Sequence, residues 1–231
     1  MRKTWIIMRK EWAEVFKNRF VLFTVAFLPI ILTALPLITL AGMGSANQLS
    51  SLTTADMPAN FTSLCEGLDA GDCGQYFLVS QFMLLFMLMP LAIPVTFASY
   101  SIVGEKTTRT LEPVLATPVT TLELLTGKAL AAALPGIGLT WLGFGVFLFG
   151  VRLLSTSAAL TAKLGSGMWL VAVFVDGPLM AVAAVSVAVM VSSRATDPRV
   201  AEQLSMMVIL PLLALFFGQI SGFILLNQQV M

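Results

Sequence analysis

The sequence predicts an all-α fold: a polytopic transmembrane helical bundle of five spans with an N-terminal amphipathic interfacial helix ahead of them. Three observations carry this. The 231 residues are 58% apolar and 11% charged, where an ordinary soluble domain has about 25% charged residues. Five apolar runs each reach the ~20 residues that a helix needs to cross the hydrocarbon core. Lysine and arginine gather in alternate connections between those runs.

The first element is the amphipathic stretch 1–19. In RKTWIIMRKEWAEVFKNRF, Trp5, Met8, Trp12, Val15 and Phe16 recur at helical steps, with Lys3, Lys10, Glu14 and Lys17 opposite and Ile7 out of pattern. A basic helix carrying tryptophans is expected to lie flat at a membrane surface, its aromatics at headgroup level. The membrane domain, 20–231, follows, with spans over 20–41, 77–103, 129–150, 168–191 and 204–226. None of the runs shows the ~10-residue alternation of a barrel strand, so backbone satisfaction in lipid requires helices. A 22-residue apolar run is too long for a cleavable signal h-region.

Orientation follows from the basic residues. Arg2, Lys3, Arg9, Lys10, Lys17, Arg19, Lys106, Arg109, Lys128, Arg194 and Arg199 fall on one side, and Arg152 and Lys163 on the other. The positive-inside rule puts the N-terminus and residues 104–128 in the cytoplasm of a multi-pass cell-membrane protein, and the loop 42–76 outside. Within that loop, Cys65 and Cys73 are spaced to close a small disulfide in an oxidising compartment, or remain two thiols in a reducing one.

Composition also excludes. The net charge of +1 offers no nucleic acid a surface. With no histidine, His-ligated metals and His-dependent nucleophiles are absent. The expected chain has no catalytic residues, no metal and no cofactor of its own. Gly127-Lys128 mimics the end of a phosphate loop, but Leu122 replaces the first glycine and Ala129 the hydroxyl residue, so ATP is not bound that way.

The polar island GEKTTRTLEPVLATPVTTLELLTGK, 104–128, interrupts this apolar chain. Thr120 and Glu123 fit a capping box that starts a helix running on into the third span. Pro118 forces a turn before it. Upstream, TTRTLEPVLA is long enough for two helical turns, with Leu111, Val114 and Leu115 on one side and Arg109 and Glu112 on another, a shape suited to docking. The plainer reading is a solvated charge cluster between two helices.

Inside the spans, Asp176 stands ~12 Å from the end of the fourth at 1.5 Å per residue. A carboxylate at that depth is a functional candidate. Alternatively, 165–177 is an external stretch and Asp176 caps a helix beginning at Pro178. Gly218 and Gly222 form G-x-x-x-G in the fifth span, and Gly136, Gly138, Gly143 and Gly145 stud the third, where small residues let helices approach. Pro29, Pro36, Pro90, Pro94, Pro135 and Pro211 are expected to kink their helices.

The segment KEWAEVFKNR leading into a proline-containing first span, the island with its TLEPVLATPV run, and SSRATDPRVAEQLSMMVILP between spans four and five together resemble the membrane subunits of ABC-2 type ABC transporters. The resemblance covers nearly the whole chain. It implies the permease of an exporter, working with a second permease copy or a similar permease and with a separate ABC ATP-binding subunit that holds ATP and Mg. The short coupling helix of the island would enter a groove on that ATPase, contacting it through Glu105, Arg109, Thr110, Leu111, Glu112, Leu115, Thr117 and Pro118. Members usually have six spans with both ends cytoplasmic. The sixth is missing here, so either the chain is cut from a longer one or the number of spans is odd. Competing readings are a non-ABC channel or assembly factor, and a lipid-interface enzyme, for which Asp176 lacks a partner in the sequence.

Overall fold

The computed structural model describes residues 2–17, 19–45, 65, 67–108, 119–155 and 157–221. Among them all regular structure is helical. In chain order the helices are α1 (Arg2–Lys17), α2 (Arg19–Ser45), α3 (Ala70–Phe86), α4 (Met89–Thr107), α5 (Thr121–Leu154), α6 (Ala158–Leu164), α7 (Gly167–Val171), a π-helical turn Ala172–Asp176, α8 (Gly177–Arg194), α9 (Pro198–Ser205), a 3₁₀ turn Met206–Ile209 and α10 (Leu210–Ile220). Five stretches of the described residues are long and apolar enough to cross a membrane: Val21–Gly42, Gly71–Thr107, Thr121–Leu154, Ala158–Arg194 and Pro198–Ile220.

Prolines mark where these helices break and where they do not. Pro90 lacks the N–H that would reach the Phe86 carbonyl, and α3 ends at Phe86. Two tight bonds, Met87 N–H to the Leu84 carbonyl at 3.1 Å and Leu88 N–H to Leu85 at 2.9 Å, turn the chain into α4, where Pro90 is the second residue. Pro211 is likewise second in α10, after the 3₁₀ turn. By contrast Pro29 and Pro36 lie inside α2, Pro94 inside α4 and Pro135 inside α5.

The chain divides into two compact units. One comprises Met1–Leu28, Met89–Thr140 and Gly177–Leu210; the other comprises Pro29–Leu88, Trp141–Asp176 and Pro211–Met231. In the first, α4 is the buried centre, with Ile93, Val95, Phe97 and Val103 shielded, and it packs on α1, α8 and α9. Lys106 at the end of α4 donates to the Ser193 and Ala195 carbonyls at 3.2 and 3.0 Å, closing the C-terminal end of α8. Asp197 accepts from the Arg199 N–H at 2.7 Å and caps α9, whose Pro198 sits at the favoured first position. In the second unit, α3 packs on α6, and Cys65 and Cys73 are joined as a disulfide at the entry to α3.

The glycines of α5 are not equivalent. A Cβ at Gly136 would stand 2.6 Å from Cγ of Pro94, and one at Gly143 3.2 Å from the Thr33 methyl and 3.3 Å from the Phe86 ring. At Gly138 and Gly145 it would meet nothing within 4 Å. Only part of the expected small-residue seam is therefore a packing seam. Because a proline ring cannot swing aside, Gly136→Ala is expected to destabilise by about 1–3 kcal/mol, whereas Gly138→Ala is neutral or slightly stabilising. Thermal unfolding of the two variants in detergent decides this, and equal melting curves would contradict the close approach.

Candidate functional site

The island's two roots are described and its middle is not. Arg109, Thr110, Leu111, Glu112, Leu115, Thr117 and Pro118 lie outside the described residues, as does Gly222. On the upstream side α4 carries Glu105 three residues from its end. On the downstream side the capping box forms: the Thr120 N–H donates to Glu123 Oε2 at 3.0 Å, and the Glu123 N–H donates to Thr120 Oγ1 at 3.2 Å. α5 then runs 34 residues without a break.

Glu105 turns inward. Its side chain is 5% exposed, and it pairs with Lys10 of α1 at 2.5 Å through one oxygen and with Lys128 of α5 at 2.9 Å through the other. That geometry takes its carboxylate away from a docking surface and makes it an internal ligand. Lys128 is 4% exposed and also pairs with Glu11 of α1, itself 3% exposed, at 2.7 Å, while donating to the Ser101 hydroxyl at 2.9 Å. The lysine that imitated the end of a phosphate loop is thus held between two buried carboxylates. The carboxylate oxygens of Glu11, Glu14 and Glu105 lie within 4.8 Å of one another. In that cluster Lys10 and Lys128 supply the compensating positive charge.

The exposed member responds as its neighbours dictate. Burial acts to lower the Lys10 ammonium, but the hydrogen bond and charge of Glu105, then the charges of Glu14 and Glu11, outweigh it and its pKa is raised. A raised value means that its contribution is complete below the ordinary lysine pKa and is lost only as pH climbs through the higher one. Across the neutral range the contribution of Lys10 is constant.

A second bond joins the same helices. Pro135 has no N–H for the Ala131 carbonyl four residues before it, and the Trp12 indole N–H donates to that carbonyl at 2.9 Å. Ile7, out of pattern in the sequence, lies against α5: a Cβ at Gly127 would stand 2.9 Å from its Cγ2. The order Lys3–Glu123, Ile7–Gly127, Glu11–Lys128 and Trp12–Ala131 shows α1 running parallel to the first turns of α5. Lys10–Glu105 and Phe16–Phe97 show it antiparallel to α4. The stripe it buries is Met8, Glu11 and Val15, whereas Trp5 and Phe16 of the expected apolar face are exposed. The one signal for this in the sequence is Glu11 recurring three and four residues from Met8 and Val15.

Asp176 ends the π-helical turn and is followed directly by α8. Pro178, which has no N–H to donate, is the second residue after the turn, and the Trp141 indole N–H donates to the Val173 carbonyl within the turn at 3.2 Å. Asp176 is half-buried. Gly218 lies in α10, half-buried.

The described residues thus hold five apolar helical stretches, an amphipathic helix bound to the base of two of them, and both roots of a polar segment in that junction. Residues 5–231 match the family described as ABC-2 family transporter protein. The chain belongs to that family. No curated protein and no solved structure matches it. It is thus a multi-pass permease-type membrane component of an ABC transporter.

The junction of this ABC-2 family member makes two predictions. Lys128→Met leaves Glu11 and Glu105 buried without their shared cation and is expected to cost about 3–5 kcal/mol, while Lys10→Met, at a solvated and screened position, costs under about 1 kcal/mol; chemical denaturation in detergent measures both, and similar losses would contradict the buried network. Trp12→Phe keeps the ring but orphans the Ala131 carbonyl, so it is expected to destabilise by about 1–3 kcal/mol, and an unchanged midpoint would show that the bond contributes nothing.

Proposed function

We propose that this ABC-2 family member is the permease subunit of an exporter whose energy comes from ATP and Mg held by a separate ATP-binding subunit, with the 104–128 segment as the coupling element. The observation that carries the reading is the family match over residues 5–231. Supporting it, both roots of the segment end in a buried, charge-compensated junction, so a push on the segment meets stiff helices and not a slack loop. The distribution of lysine and arginine supports a cytoplasmic N-terminus and a cytoplasmic 104–128 segment, on the side where nucleotide is available. A second copy or a similar permease completes the path, and the exposed apolar flanks of α5, including Leu142, Val146 and Phe149, face lipid or that neighbour.

Mechanistically, the ATPase subunits close on ATP, the segment between Arg109 and Pro118 moves as a lever, and the helices rooted in it shift between inward- and outward-open arrangements. Arg109, Thr110, Leu111, Glu112, Leu115, Thr117 and Pro118 supply the contact. Asp176, beside a π-helical turn, is the candidate for a polar station in the path.

The test is capture of the ATP-binding subunit by the tagged permease in detergent. Leu111→Asp puts a charge into the apolar docking face and is expected to abolish capture while the permease remains folded. Undiminished capture would remove Leu111 from the interface, and failure of the unaltered chain to capture an ATP-binding subunit would remove the proposal.

A further inference from the structure

We infer that Lys128 is a positioning residue: by pairing with Glu11 of α1 and Glu105 of α4 it locks α1, the end of α4 and the start of α5 into one rigid body, so that α1 moves with both roots of the 109–118 segment. The inference rests on the coupling role proposed above for what that movement is used for, but the rigidity itself is a property of this chain alone.

Glu105 and Lys128 are the buried charged groups nearest each root, one on either side of the segment, and they meet at 2.9 Å. Neither can leave its partner cheaply, because a charge 4 or 5% exposed that loses its counter-ion stays buried without compensation. Glu11 ties the same ammonium to α1 at 2.7 Å. A single ammonium thus bridges three helices, and its Ser101 hydroxyl contact adds a second bond to α4. One turn further along α5, Trp12 binds the Ala131 carbonyl that Pro135 leaves open, so α1 is held to α5 at two successive turns, by a charge and by an N–H. Glu11 and Trp12 are adjacent on α1 and point about 100° apart around it, so the two attachments oppose its rotation as well as its sliding. α1 ends at Lys17 and α2 begins at Arg19, so displacement of the rigid body is delivered to the first span. A helix merely floating at the bilayer surface would not transmit it.

Spin labels at Ala13→Cys on the exposed side of α1 and Leu122→Cys on the exposed start of α5 read the rigidity in the full chain reconstituted into lipid nanodiscs, by pulsed dipolar spectroscopy. The expected result is one narrow distance peak, lost in Lys128→Met and restored in Lys128→Arg, which keeps the charge. Should Lys128→Met fail to fold, Glu11→Leu leaves Lys128 its Glu105 partner while removing its acceptor on α1, and is expected to broaden the peak with the fold retained. A peak that survives in a folded Lys128→Met or Glu11→Leu overturns the inference, as does a Lys128→Arg chain that behaves like Lys128→Met. With the ATP-binding subunit bound, trapping it with a non-hydrolysable ATP analogue is expected to leave the peak in place; a shift overturns the rigid body. Failure of that subunit to bind sinks the coupling proposal, and the nanodisc measurements on the permease alone still decide the role of Lys128.

Discussion

A lysine ammonium buried between two carboxylates is the constraint around which α1, α4 and the start of α5 are arranged. Burying three charged groups costs several kcal/mol per ion unless geometry and further hydrogen bonds compensate. Here the compensation is specific. Glu11, Glu105 and Ser101 all reach Lys128 within 2.9 Å, and together with Lys128 they join three helices. Hydrophobic contact alone would allow α1 to slide or rotate on its neighbours, since apolar packing is non-directional. Paired buried charges do not, because any slip separates them in a medium of low dielectric. The network therefore selects one placement of α1 more than it adds stability.

The same logic governs the prolines. Away from water a carbonyl without a donor is expensive, so a proline inside an apolar helix needs a replacement donor for the group it orphans. Twice an indole N–H donates near a proline: Trp12 to the carbonyl opposite Pro135 and Trp141 to the Val173 carbonyl in the turn before Gly177-Pro178. Tryptophan suits the task because its body is apolar and its single N–H donates but does not accept. In the first case the replacement comes from another helix, which turns a local defect into an attachment point. In the second the indole bonds to a π-helical turn that ends at Asp176, the single acidic residue well inside the fourth span.

Family membership and junction geometry bear on different levels. Membership in the ABC-2 transporter family gives the class of machine. The junction describes how stress entering at one segment would be distributed. Glu105 illustrates the distinction, because its place in the TTRT-containing island suggested an outward contact, yet its carboxylate faces Lys10 and Lys128. A charged residue beside a docking motif belongs to the support of that motif as readily as to its surface.

By itself the sequence determined the helical class, the number and approximate extent of the apolar stretches, and the start of α5 at Thr120. These depend on hydropathy summed over ~20 neighbours and on a capping box closed within four residues, both local quantities. The register of α1 was not legible, because its decisive partners are remote: Glu11 meets Lys128 across 117 positions and Trp12 meets Ala131 across 119. Helical periodicity grouped Trp5, Met8, Trp12, Val15 and Phe16 as a face for the membrane surface; it did not reveal the stripe Met8, Glu11 and Val15 that is buried against neighbouring helices. Nor does spacing say which glycines pack. Gly136 and Gly138 are alike in sequence, and only the position of the Pro94 ring makes one of them indispensable. What is additive along the chain was readable in it, and what depends on which groups meet in space was decided by the tertiary structure.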